Sequence, residues 1–173
     1  MRDPHVGGWG LDAQRLSQRL HERGPALTYG EACRVVYASY ARDVLGRRDP
    51  AVYGGISLSE LETRIYEWAA ELRCNVRCRQ TNHEGEYIDW IHDAYDDVDG
   101  VIANPGAWSH YSYAIRDALE LLEVPLVEVH LSDVEHREEW RRYSVVAELA
   151  AHRVIGKGPE GYQGVIAGHE PCG

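Results

Sequence analysis

Apolar residues recur along the chain in two alternating patterns, short β-branched runs and longer helical stripes. The short runs predict strands at residues 33–39, 75–80, 100–104, 125–131 and 153–158. Apolar positions three and four apart predict helices over residues 58–73, 84–95 and 109–123. Strands that alternate with helices form parallel sheets, and right-handed crossovers leave few topologies. We therefore predict a flavodoxin-like, doubly wound α/β fold, with a five-stranded parallel sheet and helices on both faces.

Two segments depart from this alternation. Residues 1–30 contain leucines near helical spacing and a Gly-Pro stop, which predicts an N-terminal helical extension before a core domain of residues 31–173. Residues 40–56 are polar and end in Gly54-Gly55, which is typical of a long loop with hinge-like glycines. Long loops inside a compact domain are uncommon and often functional, so this loop is a candidate part of a binding site.

The length and the charge of the chain argue against some classes of function. A chain of 173 residues fits one hydrophobic core. Its net charge of −10 argues against nucleic-acid binding, although a local arginine cluster can still hold a small anionic substrate. No apolar run approaches the ~20 residues needed to span a bilayer. The N-terminus lacks a basic region followed by an apolar one, so we expect no membrane association and a cytoplasmic location.

Several kinds of site find no support in the sequence. Cys74 and Cys78 form a CxxxC pattern, which is half a zinc site at best, and no second pair stands at metal spacing. We therefore expect buried, reduced thiols and no metal. No GxGxxG, Walker loop or nucleophile elbow is present, which disfavours a nucleotide cofactor and covalent hydrolysis.

Polar side chains gather where the predicted strands end. The carboxyl ends of parallel strands meet at one edge of a sheet, and ligands of such folds bind there. Histidine, tyrosine, amide and guanidinium groups together are typical of proton transfer, with Tyr or His as base and His as acid. The candidate residues are Arg48, Tyr53, Asn104, His110, His130 and Arg141.

Tyr53 has a possible activator on its own loop. The reference pKa of tyrosine is about 10, which makes the phenol a poor base near neutral pH. Arg48 stands five residues before Tyr53, with Pro50 stiffening the segment between them. A guanidinium a few ångströms from the phenol favours the phenolate, so this pair is a candidate base.

Long stretches around these residues resemble one enzyme family. The segments QTNHEGEYIDWIHDA, GVIANPGAWSHYSYAIRDAL and PLVEVHLSDVEHREEWRRYS, with the loop LGRRDPAVYGG, are similar to the central motifs and the active-site lid of type II 3-dehydroquinate dehydratases. The resemblance covers residues 44–163. It implies a trans elimination of water from 3-dehydroquinate through an enolate, without metal or cofactor.

The resemblance also implies a role for each candidate residue. Tyr53 is the base that removes the C2 proton, and Arg48 keeps it ionised. His130, oriented by Asn104, is the acid that protonates the departing hydroxyl. The remaining implied contacts are His110 and Arg141 to the ring hydroxyls, the backbone N–H groups of Leu131 and Ser132 to the substrate carboxylate, and Asp117 to a neighbouring subunit's site. The family assembles as trimers packed into dodecamers, so we expect a homo-oligomer.

One position departs from the family pattern. The family's first strand ends in N-G-P-N-x-N, and the Asn that helps to stabilise the enolate corresponds to Ala41 here. Loss of one oxyanion donor typically costs ~10²–10³ in rate. Asp133 likewise replaces an Asn after the HLS motif.

These departures leave two alternative functions open. One is a diverged paralogue that acts on another cyclic β-hydroxy carbonyl compound in a specialised pathway, since the altered loop lies against the substrate. The other is a non-catalytic binding protein that retains the pocket. A purely binding role gives no reason for a base and an acid around one ligand, which argues against the second alternative.

Overall fold

A parallel sheet forms the centre of the computed structural model, which describes residues 34–39, 45–95 and 97–167. The strands are β1 (Arg34–Ser39), β2 (Asn75–Gln80), β3 (Gly100–Asn104), β4 (Leu126–His130) and β5 (His152–Ile155). They lie in the order β2-β1-β3-β4-β5, and each neighbouring pair is parallel. The predicted α/β fold with a parallel sheet is confirmed.

Helices connect the strands. They are α1 (Pro50–Tyr53), α2 (Leu58–Glu71), α3 (Glu84–Ala94), α4 (Tyr113–Glu120), α5 (Glu139–Arg142) and α6 (Glu160–Ile166). Short 3-10 turns occupy Leu45–Arg47, Gly106–His110 and Val134–His136. The predicted loop 40–56 therefore contains a 3-10 turn and a helix within its described part. None of the described helices has the length and apolar character needed to cross a membrane.

Alternate residues of the central strands face opposite layers of helices. Val101 and Ala103 of β3 belong to a core that includes the inner faces of α3 and α4. Ile102, between them, belongs to a second core with α2 and α6. Successive side chains of a strand point to opposite faces, so helices cover both faces of the sheet.

The helix boundaries follow from capping groups. Ser57 and Glu60 form a capping box, because the Ser57 hydroxyl accepts from Glu60 N and the Glu60 carboxylate accepts from Ser57 N. The predicted helix over 109–123 is shorter than expected. The hydroxyl of Ser112 accepts a hydrogen bond from Ile115 N and starts α4 there, so the preceding residues form a separate 3-10 turn.

Two apolar residues at the ends of the predicted helices 58–73 and 84–95 are exposed. Leu72 follows the end of α2 and Tyr95 follows the end of α3, and both are more than two-fifths exposed. The buried stripe of α3 is instead Tyr87, Ile91 and Ala94. The predicted N-terminal extension over residues 1–30 lies outside the described residues. The same is true of three single residues, Cys33, Ala41 and Cys172.

Candidate functional site

The carboxyl edge of the sheet collects the buried polar side chains. Asn104 is the last residue of β3, and His130 is the last residue of β4. Both side chains are almost wholly buried. The strand pairing β3–β4 places these two ends at the same edge, as the sequence predicts.

Tyr53 ends a short helix that its sequence starts and stops. Asp49 caps α1 through a hydrogen bond from Ala51 N, and Pro50 occupies the first helical position. Gly54 closes the helix with φ +82°, a left-handed conformation that favours glycine. One helical turn thus fixes the position of the Tyr53 ring relative to the turn that carries Arg48.

Two guanidinium groups donate to the Tyr53 hydroxyl. Arg137 does so at 2.8 Å and Arg48 at 3.1 Å. Burial opposes ionisation of the phenol, but the hydrogen bond from Arg137 and the positive charge of Arg48 outweigh it. Arg141 adds to the same field, and the pKa of Tyr53 lies below its ordinary value of 10.0. The predicted pairing of Arg48 with Tyr53 is present, and Arg137 is a second partner that sequence reasoning missed.

His130 is held by a buried carboxylate. Its Nε2 lies 2.8 Å from Glu128 Oε1, and Glu128 has no exposed surface. A carboxylate accepts, so Nε2 carries a proton and Nδ1 is the nitrogen left for proton transfer. Sequence reasoning missed Glu128, although a lone acid in an apolar strand, two residues before His130, is a detectable signal.

Glu128 is ionised in spite of its burial. Burial raises its pKa, but hydrogen bonds from His130 and Ser144 and the positive charges of His130 and Arg153 have the larger effect. The net result is a pKa of about 2. The Ser144 hydroxyl donates to Oε1 at 2.6 Å, and Arg153 Nε donates to Oε2 at 2.7 Å. The carboxylate is therefore a fixed negative charge beside His130.

His110 lies across from His130 as a stacked ring. The ring centroids are 6.2 Å apart and the planes differ by 14°. His110 Nδ1 lies 2.8 Å from the Tyr143 carbonyl oxygen, which can only accept, so Nδ1 carries the proton and Nε2 is the acceptor nitrogen. Burial lowers the pKa of His110, and the hydrogen bond to Tyr143 does not offset this. The ring is therefore suited to accept from a hydroxyl group.

Asn104 does not contact His130 as predicted. Its Nδ2 donates to the Tyr162 hydroxyl at 2.9 Å, and its Oδ1 accepts from Gly106 N at 3.2 Å. The predicted orientation of His130 by Asn104 is therefore corrected, because Glu128 on the same strand holds the ring instead. Asn104 remains at the edge with its amide orientation set by Tyr162 and the following turn.

Leu131 and Ser132 continue β4 as a buried turn. The carbonyls of His130 and Leu131 accept from Gly156 N and Gly158 N, which ties this turn to the end of β5. Gly156 has φ +69°, and a Cβ there would lie 2.8 Å from Asp133 Cβ. A glycine is thus required for the two turns to approach each other.

Arg141 lies in α5, and Asp117 lies in α4. Arg141 stacks its guanidinium 3.9 Å from the centroid of the Trp140 ring and donates to Glu138 at 2.9 Å. The Trp140 ring in turn meets His110 edge-on, at 5.3 Å, so Arg141 and His110 lie on one side of the site. Asp117 is exposed on α4, and its predicted role in a neighbouring site remains a prediction.

The described cysteines take no part in the hydrogen bonds of this site. Cys74 and Cys78 are half-buried, and burial raises the pKa of the Cys78 thiol to about 12. Within residues 34–39, 45–95 and 97–167, no three His, Cys, Asp or Glu side chains are placed to hold a metal ion. Trp108 is a core residue that packs edge-on against Tyr87.

Comparison with known proteins identifies the family. The family model described as "Dehydroquinase class II" matches residues 40–168. The chain belongs to the class II dehydroquinase family. A relative named 3-dehydroquinate dehydratase, from Syntrophotalea carbinolica, is 52% identical over 127 residues, which cover 72% of this chain and 86% of the relative.

Solved structures of the family share the fold. The type II dehydroquinase from Propionibacterium acnes is 40% identical, with a TM-score of 0.73 over 79% of this chain and 93% of that chain. The type II dehydroquinase from Butyrivibrio crossotus is 38% identical, with a TM-score of 0.75 over 79% of this chain and 95% of that chain. The predicted family resemblance is confirmed.

Proposed function

We propose that this protein is a carbon–oxygen lyase that eliminates water from 3-dehydroquinate through an enolate. The observation that carries the proposal is the Tyr53 hydroxyl between two guanidinium donors, in a chain of the class II dehydroquinase family. A phenol held in this way is activated as a base. Relatives that share about half of the aligned residues are named 3-dehydroquinate dehydratases.

The base in this proposal is the Tyr53 phenolate, which removes the C2 proton. Arg48 and Arg137 stabilise the phenolate, and the enolate oxygen that forms carries the developing negative charge. Because both guanidinium groups stay in place after proton transfer, they also limit the basicity of Tyr53. The base is therefore tuned toward neutral pH.

The acid in this proposal is His130, which protonates the departing hydroxyl. Glu128 fixes the proton on Nε2, so the proton that is transferred leaves from Nδ1. The Glu128 carboxylate behind the imidazole also sets the ring's orientation. Asn104 is still proposed as a site residue at the end of β3, but without the role of orienting His130, since its amide contacts Tyr162 and Gly106 N.

The remaining candidates hold the substrate in place. His110 accepts from a ring hydroxyl through Nε2, and Arg141 donates to a neighbouring hydroxyl. The backbone N–H groups of Leu131 and Ser132 bind the substrate carboxylate. The anionic substrate is thus received by local positive charge and backbone donors, although the chain's net charge is −10.

We also propose an organisation for the whole molecule. A flavodoxin-like domain of residues 31–173, with a doubly wound five-stranded sheet, follows a helical extension of residues 1–30. We place the protein in the cytoplasm, without cofactor or metal, as a trimer-based oligomer in which Asp117 reaches a neighbouring site. The exposed tyrosines around α4, Tyr111 and Tyr113, support a contact surface there.

The proposal is tested by incubating purified protein with 3-dehydroquinate and following the absorbance of the conjugated enone product. We expect turnover that survives exhaustive treatment with a chelator. Absence of product at high enzyme concentration would contradict the proposed substrate. Loss of activity in chelator, with recovery on adding a divalent ion, would contradict the metal-free reaction.

A further inference from the structure

Arg153 contacts the buried carboxylate from the next strand. Glu128 of β4 pairs with Arg153 of β5 in the sheet register, so the two side chains are cross-strand neighbours. Arg153 Nε donates to Glu128 Oε2 at 2.7 Å, while Oε1 accepts from His130 and Ser144. Among the described residues, the cationic groups that contact Glu128 are thus His130 and Arg153.

The charge on Glu128 has to be compensated in both protonation states of His130. Before the proton transfer, the carboxylate lies between imidazolium and guanidinium. After the transfer, the imidazole is neutral and Arg153 is the cation that remains in contact with Glu128. A buried carboxylate without a cationic partner is strongly disfavoured. Without Arg153, the pair formed by His130 and Glu128, called the dyad below, would therefore hold its proton more firmly.

We propose that Arg153 is a positioning residue that keeps Glu128 ionised when His130 is neutral, and thereby makes His130 a stronger acid. The inference rests on the proposed function, because it assumes that His130 is the proton donor. Arg153 acts through Glu128 and contacts no group assigned to the substrate. Its side chain is about a quarter exposed, and its Nη1 also lies 3.5 Å from Glu135 Oε1, so a second carboxylate acts against the guanidinium charge near Glu128.

The other groups that act on this dyad belong to different elements. His110, from the 3-10 turn before α4, stacks on His130 and experiences the charge of Glu128. The hydroxyl of Ser144, which follows α5, donates to the carboxylate. Tyr87 of α3 is fully buried, and the negative charge of Glu128 helps to raise its pKa, so this phenol stays neutral. None of these three groups replaces the charge of Arg153.

The decisive experiment is an NMR titration of labelled histidine, which needs no turnover. In R153Q the glutamine keeps a hydrogen-bond donor but removes the charge. We expect the His130 titration midpoint to rise by about one pH unit or more, the size of effect that a contacting charge produces. R153K retains the charge and should leave the midpoint close to that of the unaltered protein. An unchanged midpoint in folded R153Q overturns the inference.

E135Q provides a second measurement if R153Q does not fold. Glu135 is more than half exposed, so the substitution is expected to preserve the structure. It removes the competing carboxylate and should move the His130 midpoint to lower pH. A midpoint that stays in place or rises in E135Q, when no neutral variant of Arg153 folds, also overturns the inference.

Kinetics link the titration to catalysis. In R153Q, kcat should fall by up to about tenfold, since an acid weaker by one pKa unit slows a fully expressed proton transfer by at most that factor. R77Q is the matched control, because Arg77 pairs with Asp97 on the exposed edge strand β2. We expect kcat of R77Q to equal that of the unaltered protein. If the unaltered protein does not dehydrate 3-dehydroquinate, the proposed function fails, while the titration still tests Arg153.

Discussion

The chemistry of this site depends on single side chains, and Tyr53 is the one whose hydroxyl accepts hydrogen bonds from two guanidinium groups. The pKa of Tyr53 is lowered from 10.0, so the phenolate is present above the folded-state pKa and is lost as pH falls through it. Arg137→Gln removes the shorter of the two guanidinium contacts and should raise this pKa. We therefore expect the low-pH limb of kcat/KM to move to higher pH.

The pH profile of Arg137→Gln is compared with that of Arg64→Gln. Arg64 is an exposed residue of α2 whose partner is Glu160, so its loss should leave the limb in place. The expected decrease in kcat/KM near neutral pH is about tenfold for each unit of change in the base. A limb at the same pH in both variants would show that Arg137 does not activate the phenol.

Tyr53→Phe removes the proposed base and keeps the aromatic ring. We expect turnover to be abolished, because no hydroxyl is left to take the C2 proton, while substrate binding measured by calorimetry is retained. Turnover that persists undiminished in this variant would refute the assigned mechanism for any substrate.

Ala41→Asn tests the departure from the family pattern. If the missing Asn weakens enolate stabilisation, the added donor should raise turnover of 3-dehydroquinate, by up to the ~10²–10³ that one oxyanion donor contributes. Steady-state kinetics of the two proteins decide the point. Unchanged or lower turnover in Ala41→Asn would instead favour a pocket shaped for another ligand.

The sequence predicted which residues lie at the site, but it did not predict all of their hydrogen-bond partners. Tyr53 with Arg48, and the strand-end positions of Asn104 and His130, followed from motifs and from the geometry of parallel sheets. The pairing of His130 with Glu128 rather than Asn104 did not follow, because spacing does not tell which group a ring nitrogen faces. Arg153 was missed for the same reason, since the β4–β5 register is set by tertiary pairing.

Helices and strands place these side chains, and their ends are where prediction from sequence was weakest. The strands were predicted close to their observed bounds, and β3 and β4, which are buried, form apolar, β-branched runs. The helix after β3 was predicted too long, since the apolar pattern continues through the turn that Ser112 interrupts. The 3-10 turn so created places His110 opposite His130.

The turn after β5 supports the site through Gly156. A Cβ at this position would lie 2.8 Å from Asp133 Cβ, in a backbone with φ +69°. Gly156→Ala should therefore lower the free energy of unfolding by about 1–3 kcal/mol. It should also raise KM, because the turn of Leu131 and Ser132 would shift. Urea unfolding and steady-state kinetics measure the two effects.

Gly85→Ala is the matched control for this substitution. Gly85 lies in α3, and a Cβ there meets nothing within 4 Å. Alanine is favoured over glycine in a helix, so we expect the free energy of unfolding to increase by about 0.5–1 kcal/mol. Equal destabilisation by both substitutions would mean that the close approach to Asp133 has no energetic weight.

The architecture of the molecule brings distant segments to one edge of the sheet. Residues 48–53, 104–110, 128–132 and 137–144 contribute to the same group of contacts, although they span much of the chain. The alternation of strands and helices predicted this convergence, because parallel strands present all their carboxyl ends together. Contacts between subunits have no such signature in the pattern, which is why Asp117 rests on family resemblance alone.

A complementation experiment tests whether Asp117 serves a neighbouring site. Tyr53→Phe and Asp117→Asn should each be nearly inactive alone, since each removes one component of every site. Co-expression should give hybrids in which an intact Tyr53 meets an intact Asp117 from another copy. With random mixing at equal amounts, about one site in four then has both residues, because each subunit contacts its neighbour through the same repeated interface. Light scattering should give a mass that is a multiple of three chains. Hybrids without recovered activity, or a monomeric protein at micromolar concentration, would contradict the shared site.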